Sequence, residues 1–180
     1  MSTERHRPRV SAFLALSLDG FIAGEGNDLA WLEPYNGDSQ EETGYGALMA
    51  SADLLLMGRN SYETVRAFPD WPYGDKPVTV LTHRPATPRA HVSFRQGALA
   101  QVLSELWQEG ARHIYLDGGE VVRQGLQAGL VDELTLFWVP VVLGKGVSLF
   151  GGEPLPERLV PLSTAVLASG LVRVIYRPAP

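Results

Sequence analysis

Basic and hydroxyl side chains recur directly after short apolar runs in this chain. Leu54-Leu55-Leu56-Met57 ends at Gly58-Arg59, with Ser61 two residues on. Val78 to Thr82 ends at His83-Arg84-Pro85, and Ile114-Tyr115-Leu116 ends at Asp117-Gly118-Gly119. Runs of this length and apolar content read as buried strands. Open α/β sheets bind ligands beyond the carboxyl ends of their strands. If these strands are parallel, Arg59, Thr82, Arg84 and the Gly118-Gly119 amides crowd one rim. Guanidinium groups fork onto phosphate oxygens. A helix start offers unpaired N–H groups to an anion, and paired glycines let another group approach the backbone closely. Such a rim suits two separated phosphate groups.

Other chemistries find less support. No G-x-G-x-x-G follows a strand, and Gly144-Lys145-Gly146 lacks the upstream glycine of a P-loop. His6, His83, His91 and His113 show no metal-ligand spacing, so no metal is expected. The absence of cysteine excludes disulfides and thiolate chemistry. Asp28 and Glu42 are weak candidates for a proton donor, with Glu42 already assigned to a helix cap. Trp31 and Tyr45 could wall a planar substrate.

These residues need elements to hold them. Val10 to Ala23 is a buried strand interrupted at Asp19-Gly20, followed by a loop from Gly24 to Gly37. Ser39 with Glu42 is a capping box and predicts a helix from Gln40 to about Ala50, whose Tyr45, Leu48, Met49 and Ala52 share a face. Asn60 with Glu63 reads as a second box, opening a short helix to about Ala67. Pro69 to Pro77 is turn-rich. Ala98 to Glu109 is the clearest helix, closed by Gly110. Leu134 to Val139 is a strand, and Leu162–Ala168 with Leu171–Arg177 form a hairpin around Ser169-Gly170. Alternating strands and helices predict an α/β fold. Its central sheet is mostly parallel, with helices on both faces and an antiparallel hairpin at the end.

A chain of 180 residues suffices for one domain with a substantial core. A formal net charge of −5 argues against nucleic acid as the partner and demands a local basic patch if a polyanion is held. No apolar run is long enough to span a bilayer. The opening MSTERHRPR lacks the apolar core of a signal peptide. Residues 1–9 read as a loose tail, residues 10–178 as one domain, and the protein as cytoplasmic by default.

Five motifs carry a family likeness: Ser17-Leu18-Asp19-Gly20-Phe21-Ile22-Ala23, Gly58-Arg59-Asn60-Ser61-Tyr62-Glu63, Val80-Leu81-Thr82, Leu116-Asp117-Gly118-Gly119, and Asp132-Glu133-Leu134 with Pro140-Val141-Val142-Leu143-Gly144. In this order the chain resembles the dihydrofolate reductase-like superfamily, in the branch similar to the C-terminal reductase domain of riboflavin-biosynthesis enzymes. The resemblance implies the three-layer fold of that superfamily and NADPH as cofactor. It implies that Gly58, Arg59, Ser61, Thr82, His83 and Arg84 surround the adenosine 2′-phosphate. Gly118, Gly119, Glu120 and Val121 would carry the pyrophosphate through their backbone, and Ala15, Ile22 and Gly24 would flank the nicotinamide. Phe137 stands where dihydrofolate reductases place a threonine, so it joins Trp31 and Tyr45 as a substrate-pocket candidate. The expected activity is hydride transfer to a pterin-, pyrimidine- or related heterocycle-like substrate, by a homodimer. The alternatives are a non-catalytic nucleotide-binding scaffold and a true dihydrofolate reductase.

Overall fold

The computed structural model describes residues 6–84 and 86–180. Residues 1–5 of the expected tail, and Pro85 of the turn after Thr82, lie outside the described residues. Arg7 and Arg9, also assigned to the tail, are tied down. The Arg7 guanidinium donates to both Asp132 oxygens at 2.7 and 3.0 Å, and Arg9 opens the first strand.

Strands β1 (Arg9–Ser17) and β2 (Phe21–Ala23) flank the turn at Asp19-Gly20. Two 3-10 turns, Glu25–Asn27 and Ala30–Tyr35, shape the following loop. The helix expected over residues 40–50 is two pieces, α1 (Gln40–Thr43) and α2 (Tyr45–Ser51). Gly44 separates them, because its φ of 82° cannot continue a right-handed helix. The Ser39–Glu42 capping box is present.

Strand β3 (Leu54–Gly58) runs straight into α3 (Arg59–Arg66). Gly58, in extended conformation, is the N-cap, and no side chain caps the helix. The Asn60–Glu63 box is therefore a correction. The strand delivers its last residue directly as the cap, which puts Asn60 inside the helix, and Glu63 pairs with Arg66 at 2.7 Å. Strands β4 (Val78–Leu81) and β5 (Val92–Arg95) precede α4 (Leu99–Gln108). Then come β6 (His113–Asp117), α5 (Gly119–Gln127), β7 (Glu133–Val139), the short β8 (Val147–Ser148), and the hairpin β9 (Leu159–Val166) and β10 (Val172–Pro178).

The main sheet has eight strands in the order β5-β4-β3-β6-β1-β7-β10-β9, and β2 pairs with β8 beside it. Strands β5 to β7 in that order are parallel, and the hairpin adds antiparallel. Alternation sorts the side chains. Val10, Ala12, Leu16, Leu54, Leu56, Ile114 and Leu116 face α4 and α5 in one core, while Leu55, Met57, Val78, Val80 and Tyr115 face α2 and α3 in the other. Asp53 and Asp132 fasten the strand starts. Asp53 accepts from the Arg112 and His113 amides at 2.7 and 2.8 Å, and Asp132 accepts from the Val10 amide at 2.8 Å. Those amides hold the Asp53 carboxyl below the usual carboxylate range.

Helix α5 lies so close to the sheet that a methyl at Gly125 would stand 2.9 Å from Leu116 Cδ2 and 3.0 Å from Val131 Cγ2. Helix propensity alone favours alanine by about 1 kcal/mol. Overpacking a filled core costs about 1–3 kcal/mol. Gly125→Ala is accordingly expected to lower the urea midpoint, and a raised midpoint would show that α5 has room to shift.

Candidate functional site

The strand order sets the site. Strand β6 sits between β3 and β1, so the carboxyl ends of β4, β3 and β6 are neighbours. Gly58 pairs with Leu81 and Met57 with Asp117, which places the three turns side by side on one rim. Arg59 Nη1 donates to the Arg84 carbonyl at 3.3 Å, joining two of the turns. Ser61 joins the third, since a Cβ at Gly118 would collide with its hydroxyl. The rim inferred from sequence is therefore assembled: Gly58, Arg59, Ser61, Thr82, His83, Arg84, Gly118 and Gly119 lie together.

The Gly-Gly turn has its own packing reason. Gly118 has a φ of +93°, and Gly119 has its Cα covered by the side chain of Ile22. The groups approaching these glycines are thus the chain's own Ser61 and Ile22. What stays available is the backbone. Neither α3 nor α5 has a side-chain cap, and the first amides of a helix have no partner within it. Two positive helix ends therefore meet at the rim. Glu120 turns its carboxylate back to Arg123 and Gln124, leaving its amide for the rim; Val121 is buried, with its methyl against Gly58.

The cations sit at the β3–β4 end. His83 and Arg84 are exposed. Arg59 is also 3.7 Å from Glu63 Oε1. Thr82 is buried, and its hydroxyl donates to the Arg84 carbonyl at 2.9 Å and accepts from the Arg84 amide at 3.2 Å. It shapes the turn that presents Arg84.

On the other flank, Gly24 abuts Asp28, and its amide donates to the Asp28 carbonyl at 2.8 Å. Asp19 accepts from Ser17 Oγ at 2.6 Å and from the Leu143 and Gly144 amides at 3.1 and 2.7 Å. It fastens the Gly144–Gly146 loop against Ala23 and Gly24, where a Cβ at Gly146 would strike the Ala23 carbonyl.

The two carboxylates singled out from sequence have local work. Asp28 Oδ1 accepts from the Ala30 amide at 3.2 Å, and Glu42 Oε2 accepts from the Ser39 amide and hydroxyl at 3.0 and 3.1 Å. Both are exposed. Trp31 and Ala15 pack with Phe137 in one cluster, and Phe13 bridges it to Tyr45. Phe137 is only 4% exposed, so it backs this wall from within the core.

The carboxyl that sequence reasoning missed is Asp117. It ends β6 and is part-buried. Tyr73 donates to its Oδ2 at 2.9 Å, and the nearby Tyr115 hydroxyl and Gly118 amide also favour its charged form. Burial nonetheless pushes its carboxyl above the usual range. Burial, with the Asp117 charge nearby, also raises the Tyr73, Tyr115 and Tyr45 phenols. The readable signal was period-two alternation: Tyr115 and Asp117 share a sheet face. Nothing in the sequence placed Tyr73 there.

The family comparisons agree with this architecture. The model of the RibD C-terminal domain matches residues 8–173. The chain is 34% identical over 141 residues to the uncharacterized protein YwjB of Bacillus subtilis (strain 168), covering 77% of this chain and 80% of that one. It is 27% identical over 175 residues to the riboflavin biosynthesis protein RibD of Corynebacterium ammoniagenes, covering 88% of this chain but half (50%) of RibD. A solved structure from Shewanella sp. PV-4, provisionally assigned to riboflavin biosynthesis, superposes with a TM-score of 0.85 at 33% identity, over 96% of this chain and 99% of its own. The chain belongs to the RibD C-terminal domain family, a family of reductase-like proteins with this α/β fold.

Gly118→Ala combines a left-handed backbone, costing an alanine about 1–2 kcal/mol, with the collision at Ser61. The expected outcome is a loss of stability in urea that Ser61→Gly restores only in part. Full restoration would mean that the backbone conformation costs nothing there.

Proposed function

We propose that the chain is an NADPH-dependent reductase acting on a small planar heterocycle, pterin- or pyrimidine-like. One observation carries this reading: two uncapped helix starts meet beside Arg59, His83 and Arg84 at the carboxyl rim of the sheet. The α5 amides of Gly119, Glu120 and Val121 suit a pyrophosphate, since N–H groups and helix dipoles favour the anion without a counter-charge. Arg59 and Arg84, with Ser61 and the Thr82 turn, suit a further phosphate on a ribose. Two guanidinium groups, Arg59 and Arg84, would meet the second phosphate in a chain whose net charge is −5.

Bound NADPH would supply a hydride at its nicotinamide, on the side of Ala15, Ile22 and Gly24. The chain's own part is to hold the acceptor, exclude water and provide a proton. The hydride would add to the carbon of a C=N or C=O group, and the proton would go to its nitrogen or oxygen. Asp117 suits that proton, since burial favours its neutral form. A strand-end carboxyl among three phenols supports turnover over a purely binding role.

We also propose a homodimer. Edge strand β9 leaves Leu162 50% and Val166 75% exposed, and an open apolar edge calls for cover. Light scattering is expected to give a dimer mass, reduced to a monomer by Leu162→Lys with Val166→Lys. A monomer mass for the unaltered chain would reject it.

Arg59→Ala tests the cofactor. A charge-assisted contact contributes about 1.5–3 kcal/mol, so NADPH affinity should fall about tenfold or more. NADH affinity should barely change. Nicotinamide fluorescence titration reads both, and equal losses would remove Arg59 from a 2′-phosphate site.

A further inference from the structure

The turn-rich segment from Pro69 to Pro77 has no part in the proposed cofactor site, yet it sends one side chain into the protein. Tyr73 is 8% exposed, and its hydroxyl donates to Asp117 Oδ2 across 2.9 Å. The segment is built to keep it there. The Trp71 ring stands edge-on to Tyr73 at 5.2 Å and 90°, and Arg89 stacks on Trp71 at 4.5 Å. The Lys76 amide donates to the Tyr73 carbonyl at 3.0 Å, and Lys76 Nζ donates to the Ala52 carbonyl at 2.5 Å. The ring is thus gripped on its edge, its backbone and the far end of its turn.

We propose that Tyr73 is a positioning residue of the reductase site: its hydroxyl fixes the rotamer of Asp117 and selects which carboxyl oxygen can carry the proton. The inference rests on the reading of Asp117 as the proton-bearing group. A carboxyl has two nearly equivalent oxygens and a broad terminal torsion. A phenol that donates to Oδ2 turns that oxygen into an acceptor and leaves the proton to Oδ1. The titratable groups facing Asp117 among the described residues are Tyr73 from this segment, Tyr115 from its own strand and Tyr45 from α2. None is a cation, so hydrogen bonds are what oppose the effect of burial on the charged form. Removing one donor to the carboxylate must move the Asp117 equilibrium further towards the neutral acid.

Carboxyl ¹³C NMR of aspartate-labelled protein tests this without a substrate. The Asp117 signal is identified by its loss in Asp117→Asn. Its titration midpoint is expected to shift to higher pH in Tyr73→Phe, which removes only the hydroxyl. A midpoint that stays put, or falls, overturns the proposal. Should Tyr73→Phe fail to fold, the unaltered protein offers a second reading. The Tyr73 hydroxyl proton should exchange slowly, and its chemical shift should follow the Asp117 midpoint; a shift independent of that midpoint overturns the proposal equally. NADPH oxidation with any accepted heterocycle separates the two ideas. Unchanged turnover in Asp117→Asn removes Asp117 as proton source, whatever the titration shows. Lost turnover in that variant with an unmoved midpoint in Tyr73→Phe removes Tyr73 alone.

Discussion

The rim depends on how closely the start of α3 meets the start of α5. Ser61 rests in the space where any side chain at residue 118 would stand. That contact is possible only because Gly118 has no Cβ and accepts a φ of +93°. With the two helix starts in touch and neither capped by a side chain, both positive helix ends lie on one rim. A larger residue at position 118 would part the two helix ends.

Strand order does the rest. Because β6 inserts between β3 and β1, the chain passes back and forth across the centre of the sheet, and neighbouring turns come from distant parts of the sequence. Arg59, Arg84 and Gly118 owe their proximity to strand pairing, reinforced by the Arg59–Arg84 bond and the Ser61–Gly118 contact. The same insertion places Asp117 beside the rim, on the face opposite the α4–α5 core. One turn thus supplies backbone amides to the rim and, one residue earlier, a carboxyl to the interior.

Much of this was legible in the sequence. The alternation of apolar runs with amphipathic helices defined the sheet, and the glycine or basic residues just after three of its strands marked the rim where those turns meet. What escaped notice has physical causes. The break at Gly44 was hidden because the capping box marks a start at residue 39 and the apolar stripe of Tyr45, Leu48 and Met49 lies wholly after residue 44, so neither signal bears on its φ. The false cap at Asn60 came from side-chain spacing, whereas the strand ended on a glycine able to cap through its backbone. Asp28 and Glu42 drew attention as carboxylates in suitable segments, but exposed acids near helix and loop starts are readily used by local amides. Tyr73 sits 44 positions from Asp117 in an irregular stretch, so no periodicity links them.

The bond pattern of Asp19 has a mechanical consequence. Its carboxylate spans the bend between β1 and β2 and the backbone at Leu143 and Gly144, more than 120 positions later. The residue is exposed, and the hydrogen bond from Ser17 is the chief cause that holds its carboxyl below the usual carboxylate range. Backbone bonds from Leu18 to Val141 and from Leu149 to Gly20, with the β2–β8 pair, join the same two segments, so the bend after β1 and the Gly144–Gly146 loop form one tied unit, and neither can swing outward without drawing the other along.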